Sequence, residues 1–273
     1  MRRSTNRFIV LAFTCVAAAG IAVAPAAAQD MGNNGNVSLA SGVDIVNQYF
    51  FRGIVQETGG FIAQPFLDGS ISFGAASITA GTWSSLHSSQ PEGCCFDGAP
   101  MSFYETDFYA GIGGAAGPVG LDVTYTAYMS PRGSWGTVKE LALGFSVDNV
   151  AAPYATIAFE LSGNAAGDSG GTYFELGIEP SAPLDDAPVS LSFPITIGMS
   201  PSNYYNPGGV NYAFGFFSAG ASIGIPLAVP EGYGEWGLAL GVNALVFGDG
   251  LKLINGDDSG TKIIALFGLS LGY

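Results

Sequence analysis

Strict alternation of residue character limits this chain more than any other feature. From Lys262 to Tyr273 one side of the run reads Ile263, Ala265, Phe267, Leu269, Leu271 and Tyr273. The other side reads Lys262, Ile264, Leu266, Gly268, Ser270 and Gly272. A period of two describes an extended strand with two unlike faces. The same pattern recurs in "GLDVTYTAY", where Leu121, Val123, Tyr125 and Ala127 oppose Asp122, Thr124, Thr126 and Tyr128. It recurs again in "EWGLALGVNAL", with Trp236, Leu238, Leu240 and Val242 against Gly237, Ala239, Gly241 and Asn243. In "VSLSFPITIGM" the apolar set is Leu191 to Met199, and Pro194 within it removes one backbone donor.

Twelve such segments are predicted: 37–51, 61–74, 76–87, 102–113, 118–129, 138–148, 153–163, 171–180, 188–199, 210–225, 233–247 and 261–273. The faces of 76–87 do not separate by alternation. The connections alternate in length. Gly74–Ala75, "GGAAGPV" and "DNVAAP" are short, whereas "GIVQETGG", "SSQPEGCCFDGAP", "NAAGDSG" and "SPSNYYNPGG" are long and polar.

Composition says what the faces meet. Charged residues are 11% of the chain, against about 25% in ordinary globular proteins. Glycine numbers 41 and aromatic residues are 12%. No run of about 18 apolar residues follows residue 28, so the pattern predicts no spanning helix. Few charges and apolar residues at every second position predict an all-β, transmembrane, antiparallel up-and-down barrel of about twelve strands. An even number of strands puts both termini at the short-turn end. Lipid tolerates no open sheet edge, so the last strand must close on the first. A soluble β-sandwich is the competing reading, but its water-facing side would carry more charge.

The N-terminus gives the compartment. Arg2, Arg3 and Arg7 precede the apolar "FIVLAFTCVAAAGIAVA", and Ala26 and Ala28 offer a cleavage site before Gln29. Residues 1–28 therefore read as a secretory signal peptide, with 29–273 as the barrel domain. The remaining chain carries five basic residues (Arg52, Arg132, Lys139, Lys252 and Lys262) against 22 acids, a net charge of about −17. That opposes nucleic-acid binding, which needs a basic footprint. Outer-membrane lipid and the barrel-insertion machinery are the expected partners.

Residues 43–74, "VDIVNQYFFRGIVQETGGFIAQPFLDGSISFG", together with Tyr104-Glu105-Thr106-Asp107-Phe108-Tyr109-Ala110-Gly111, resemble the TorF-like putative porins of proteobacterial outer membranes. The shared elements are an aromatic-Arg-Gly unit, here Phe51-Arg52-Gly53, a following Gln64, and the "YETD-YAG" strand. The resemblance implies an outer-membrane barrel and a pore, and it gives no substrate. The terminal aromatic strand, with Phe267, Leu269, Leu271 and Tyr273, also resembles the C-terminal signal read by the insertion machinery.

Alternation turns Asp44, Asp68, Glu105, Asp107, Asp122, Glu140, Glu160, Glu175, Glu179 and Glu235 inward. Of these, Glu105, Asp107, Glu140, Glu160 and Glu175 fall near the long loops, where they predict an acidic collar around a cation-preferring lumen. Arg52 is the expected basic residue of the lumen, with Lys139 as a further counter-ion. Aromatic clusters at Tyr49–Phe51, Phe103–Tyr104, Tyr154, Tyr173–Phe174, Tyr204–Tyr205 and Tyr233/Trp236 predict interfacial girdles.

The expected function is therefore a porin-like channel for passive diffusion of small solutes. A non-conducting adhesion or structural barrel acting through its loops is the alternative. A third reading, a barrel lipid hydrolase or acyltransferase, would rest on His87 beside Ser85, Ser88 and Ser89, whose spacing alone establishes no nucleophile–base pair. Cys94 and Cys95 allow a loop disulfide in an oxidising compartment. No phosphate loop, dinucleotide fingerprint or zinc motif is present, so no cofactor or metal is expected.

Overall fold

A computed structural model of the chain describes residues 36–89, 102–165, 170–183, 189–230 and 232–273. The signal-peptide residues and Cys94 and Cys95 lie outside the described residues. In chain order, the strands are β1 (Val37–Val46), β2 (Tyr49–Phe51), β3 (Ile54–Glu57), β4 (Ile62–Phe73), β5 (Ala76–His87) and β6 (Ser102–Ala116). They continue as β7 (Val119–Met129), β8 (Val138–Val147), β9 (Pro153–Ser162), β10 (Thr172–Ile178), β11 (Ser181–Pro183) and β12 (Ser190–Ser192). The last are β13 (Ile195–Ser202), β14 (Phe214–Leu227), β15 (Glu235–Phe247) and β16 (Thr261–Gly272), with helix α1 (Asp249–Asn255) between β15 and β16.

Twelve of these strands form one closed antiparallel ring: β1, β4 to β10, and β13 to β16. Closure is direct. Asp44 of β1 pairs with Gln64 on one side and Gly268 on the other. Leu39 and Tyr273 exchange two backbone hydrogen bonds of 2.8 Å. The expected strand number and order therefore hold. Proline shapes one wall position. The ladder breaks at Phe193–Pro194, between β12 and β13, and the Pro194 carbonyl accepts from Gly220 N–H at 2.9 Å.

The two faces differ as alternation requires. Leu121 and Ile112 are 59% and 60% exposed on the outside, whereas Thr126 and Tyr128 are buried on the inside. A soluble protein rarely leaves so wide a band of Leu, Ile, Val and Phe uncovered, so the outer surface is a lipid-facing belt. Among the described residues no helix is long and apolar enough to cross a membrane, and the strands make the crossing. The strand β5, which sequence leaves unassigned, keeps a period of two and turns Thr79, Trp83, Ser85 and His87 inward; its faces blur because Trp83 lies on the inner side while Thr82 and Ser84 lie on the other.

The largest departure from expectation is at the first long connection. Sequence extends the first strand over 37–51 and reads "GIVQETGG" as an outer loop. The chain instead leaves the wall after Val46. Residues 49–57 then form a separate two-stranded hairpin, β2–β3, paired to no wall strand. Tyr49, Phe50, Phe51, Arg52 and Ile54 are all buried. This hairpin lies inside the barrel at the long-loop end.

Candidate functional site: a plugged lumen

The hairpin's turn explains its sharpness. Phe51 pairs with Ile54, and the two central residues, Arg52 and Gly53, have φ of 49° and 81°. Two positive φ values mark the primed turn that suits the twist of paired strands. Glycine takes such a φ freely, whereas arginine is strained there. The side chain it presents offsets that strain.

Arg52 carries a fully packed guanidinium. Its Nη1 and Nη2 donate to Glu140 Oε2 and Oε1 at 2.6 and 2.8 Å, a two-pronged contact with both side chains 3% exposed. Nη1 also donates to Tyr204 Oη at 3.2 Å, and Tyr128 Oη donates to Glu140 Oε1 at 3.0 Å. The guanidinium carbon sits 4.2 Å from the centre of the Tyr173 ring, 4.9 Å from Phe51 and 5.4 Å from Tyr204. A planar cation between a carboxylate fork and aromatic faces is a favoured arrangement for arginine.

Other groups fasten the hairpin's backbone. Asn255, at the end of α1, accepts from Val55 N–H at 2.9 Å and donates to the Gly53 carbonyl at 2.8 Å. Tyr205 Oη donates to the Arg52 carbonyl at 2.8 Å. Asn255 and Tyr205 thus supply partners that an isolated hairpin lacks. Tyr49 donates to Glu105 at 2.8 Å, and Tyr104 to Gln56 at 2.7 Å. Ser89 donates to Glu57 Oε2 at 2.7 Å. Apolar packing flanks both sides. Phe50 joins Tyr173, Tyr204, Tyr205, Phe216, Phe247 and Leu251, while Tyr49 and Phe51 join Trp83, Tyr109, Tyr128, Val138 and Leu266.

The five acids singled out from sequence lie on β6, β8, β9 and β10, and four of them, Glu105, Asp107, Glu140 and Glu175, are buried. Their engagement differs from an open collar. Glu140 holds Arg52 and Glu105 holds Tyr49. Glu175 accepts from Tyr173 Oη at 2.5 Å, and Glu160 accepts from the Ala165 and Gly171 backbones at 2.7 and 2.6 Å. Asp107 Oδ1 is buried with no hydrogen-bond partner. Lys139, expected as a counter-ion, is exposed. The girdle expectation is corrected for Tyr49, Phe50, Phe51, Tyr173, Tyr204 and Tyr205. All six are buried inside, because the hairpin, β10 and the 203–213 segment turn them toward the lumen. Phe103 and Tyr233 are exposed, as a girdle requires.

The serine–histidine pair also lies inside. Ser85 Oγ and His87 Nε2 are 2.9 Å apart, and His87 Nδ1 is 3.8 Å from Glu57 Oε2, beyond hydrogen-bonding range. Ser85 is fully buried on the inner face, away from the lipid belt. No cluster of potential metal ligands occurs among the described residues.

Sequence reasoning missed Tyr204, Tyr205, Asn255 and Gln56 as parts of this site. One signal was available for the hairpin. "YFFRGIV" sets a two-residue pair ending in glycine between two apolar runs, and the glycine supplies one of the two positive φ values that a tight hairpin needs.

Fold and site together define a membrane-spanning twelve-strand β-barrel with its own first long connection packed inside the lumen. A family model described as "Bacterial protein of unknown function (Gcw_chp)" matches residues 30–231, and the chain belongs to that family. No curated protein matches the sequence. Among solved structures, the translocator domain of the autotransporter NalP from Neisseria meningitidis is 11% identical, with a TM-score of 0.43. It is matched over 87% of this chain and 88% of that one. The NanC porin is 10% identical, with a TM-score of 0.44, over 86% of this chain and 98% of that one. OmpF of Salmonella typhi, in a complex with daunomycin, is 9% identical, with a TM-score of 0.39, over 87% and 97%.

Proposed function

We propose that this protein is an outer-membrane, porin-like channel for small solutes, with a preference for cations and with the 49–57 hairpin as its closure. The observation that carries this reading is the buried Arg52–Glu140 contact. A short hairpin, in no backbone ladder with the wall, reaches into the lumen and sets its one cation against a wall carboxylate. The wall around it supplies Glu105, Asp107, Glu160 and Glu175. With the hairpin withdrawn, those acids would face the passage, and like charges lining a narrow channel enrich cations and repel anions. The resemblance to TorF-like porins points the same way.

The test is conductance in planar bilayers. The intact chain should show low conductance. Replacement of 49–57 by a short Gly/Ser linker should raise it, with reversal potentials in a KCl gradient on the cation side. Anion preference, unchanged by Glu105→Gln and Glu160→Gln, would defeat the selectivity.

The densely filled outer lumen favours one second reading, a non-conducting structural barrel acting through its loops. That reading wins if the hairpin-replaced protein assembles yet passes no current. Catalysis is not part of the proposal. His87→Ala should leave phospholipid hydrolysis at background, and activity abolished by that change would bring the hydrolase back. The terminal strand is proposed as the assembly signal, so removal of Tyr273 should lower the assembled, heat-modifiable fraction in cells.

A further inference from the structure

We propose that the cradle now holding Arg52 is a recognition site for small organic cations bearing a guanidinium group, which Arg52 fills as an internal stand-in. The inference rests on the channel reading and names its substrate class.

The reason lies in who owns each part. Phe51 travels with the hairpin. Glu140 on β8, Tyr128 on β7, Tyr173 on β10 and Tyr204 in the 203–213 segment all belong to the wall and its other loops. Withdrawal of the hairpin therefore leaves a carboxylate fork, an aromatic face and a phenol in place. Each has its own support. Glu140 is aimed by Tyr128 Oη, and Tyr173 is tethered by its hydroxyl to Glu175. Tyr204 is set by its backbone N–H, which donates to Ser200 Oγ at 2.9 Å, and Ser200 is fully buried. A recognition site is expected to be braced in this way, independently of its occupant.

The chemistry of the site selects among cations. Two parallel N–H donors satisfy the Glu140 fork at 2.6 and 2.8 Å, and a flat delocalised cation stacks 4.2 Å from the Tyr173 ring centre. An ammonium ion supplies neither the plane nor the two-pronged contact. The tether has a cost of its own: Arg52 Nε is buried without an acceptor, and its backbone is held at a φ of 49°. A free guanidinium solute carries no such tether.

Occupancy and opening are then coupled. Withdrawing Arg52 exchanges its two-pronged contact with Glu140 for water in the opened lumen, and the loss of that contact opposes opening. A solute cation that replaces Arg52 relieves that penalty. It binds the open state and not the closed one, so it shifts the population toward open. The competing view is an ordinary structural lock, in which the Arg52–Glu140 pair only fastens the loop.

The experiment uses the full chain reconstituted in lipid, with methylguanidinium and methylammonium chlorides as probes at matched ionic strength. In the intact protein, roughly 10–50 mM methylguanidinium competes with the millimolar effective concentration of the tethered Arg52. It should speed hydrogen exchange of the Val55 amide and its neighbours in 49–57, while methylammonium should not. In Arg52→Ala, methylguanidinium should block potassium current at about tenfold lower concentration than methylammonium, the factor that one lost charge-assisted hydrogen bond gives. The discrimination should vanish in Arg52→Ala/Glu140→Gln.

An intact hairpin that ignores methylguanidinium, or answers both probes alike, overturns the inference and leaves the structural lock, even if the variants fail to assemble. Selective exchange without current in either protein would keep the site and sink the channel. Current in Arg52→Ala with no discrimination between probes would keep the channel and sink the site.

Discussion

The two halves of the lumen differ in what fills them, since the packed hairpin occupies only the long-loop half. Along β6 the inward residues run Glu105, Asp107, Tyr109, then Gly111, Gly113 and Ala115 toward the short-turn end. Along β8 they run Val138, Glu140, Ala142, Gly144 and Ser146, and along β16 Ile264, Leu266, Gly268, Ser270 and Gly272. Along these three strands large, charged or aromatic side chains crowd the long-loop half and small ones the other, while β7, β9, β15 and the end of β10 still turn Asp122, Tyr154, Glu235 and Glu179 inward near the short turns. Local geometry repeats the contrast. The Arg52–Glu140 pair and its aromatic faces fill the first half, whereas Ser38 and Ser70 share only a 2.7 Å hydroxyl contact in the second. The inward hairpin and its anchors therefore pack into one half.

This contrast orders the tests by size. Glu140→Gln should have the largest effect. It leaves Arg52 buried without its carboxylate and should weaken the closed state by about 3–5 kcal/mol. The readout is hydrogen exchange across 49–57 together with conductance. A protein with unchanged exchange would show that the aromatic packing alone holds the hairpin. Asn255→Ala should come next. It orphans Val55 N–H and the Gly53 carbonyl, at roughly 1–3 kcal/mol for each group left unpaired. Faster exchange at Val55 with little change at β7 would confirm a local role. Ser70→Ala, in the other half, should change urea stability by only about 0.5–1 kcal/mol and leave conductance untouched. A conductance change there would erase the division between halves.

The smallest expected effect lies outside the lumen, at Asp257 in the connection after α1. The hydrogen bond from Lys262, with help from Ser259, lowers its pKa from 3.8 to about 2. A depressed carboxyl pKa contributes stability that is fully present above the unfolded value of 3.8. That contribution fades as pH falls toward 2. Lys262→Ala should therefore matter slightly at pH 5–7 and not at all below pH 2. A variant equally affected at both ends would show that the contact is not electrostatic.

How much could be read in advance follows from the range of each interaction. Alternation is local, and it placed twelve wall strands and the faces of several, including Leu121/Val123 outward and Thr124/Thr126 inward. It also placed Glu105, Glu140 and Glu175 on inner faces. It misplaced Tyr173, Tyr204 and Tyr205, because an aromatic near a strand end satisfies both a girdle and a packed interior. It left β5 open, because both of its faces mix apolar with small polar residues, Trp83 beside Ser85 inside and Ile78 beside Thr82 outside. Arg52 was recognised as a lumen residue without its partner, since 88 positions separate it from Glu140.

Sequence by itself determined a closed sheet with a greasy outside and a mixed inside, because pleating assigns faces residue by residue and a bilayer tolerates no sheet edge. Only the tertiary structure decided that the first long loop turns inward. That choice depends on β7, β8, β10 and the 203–213 segment meeting around one arginine. Their side chains become neighbours only once the ring has closed.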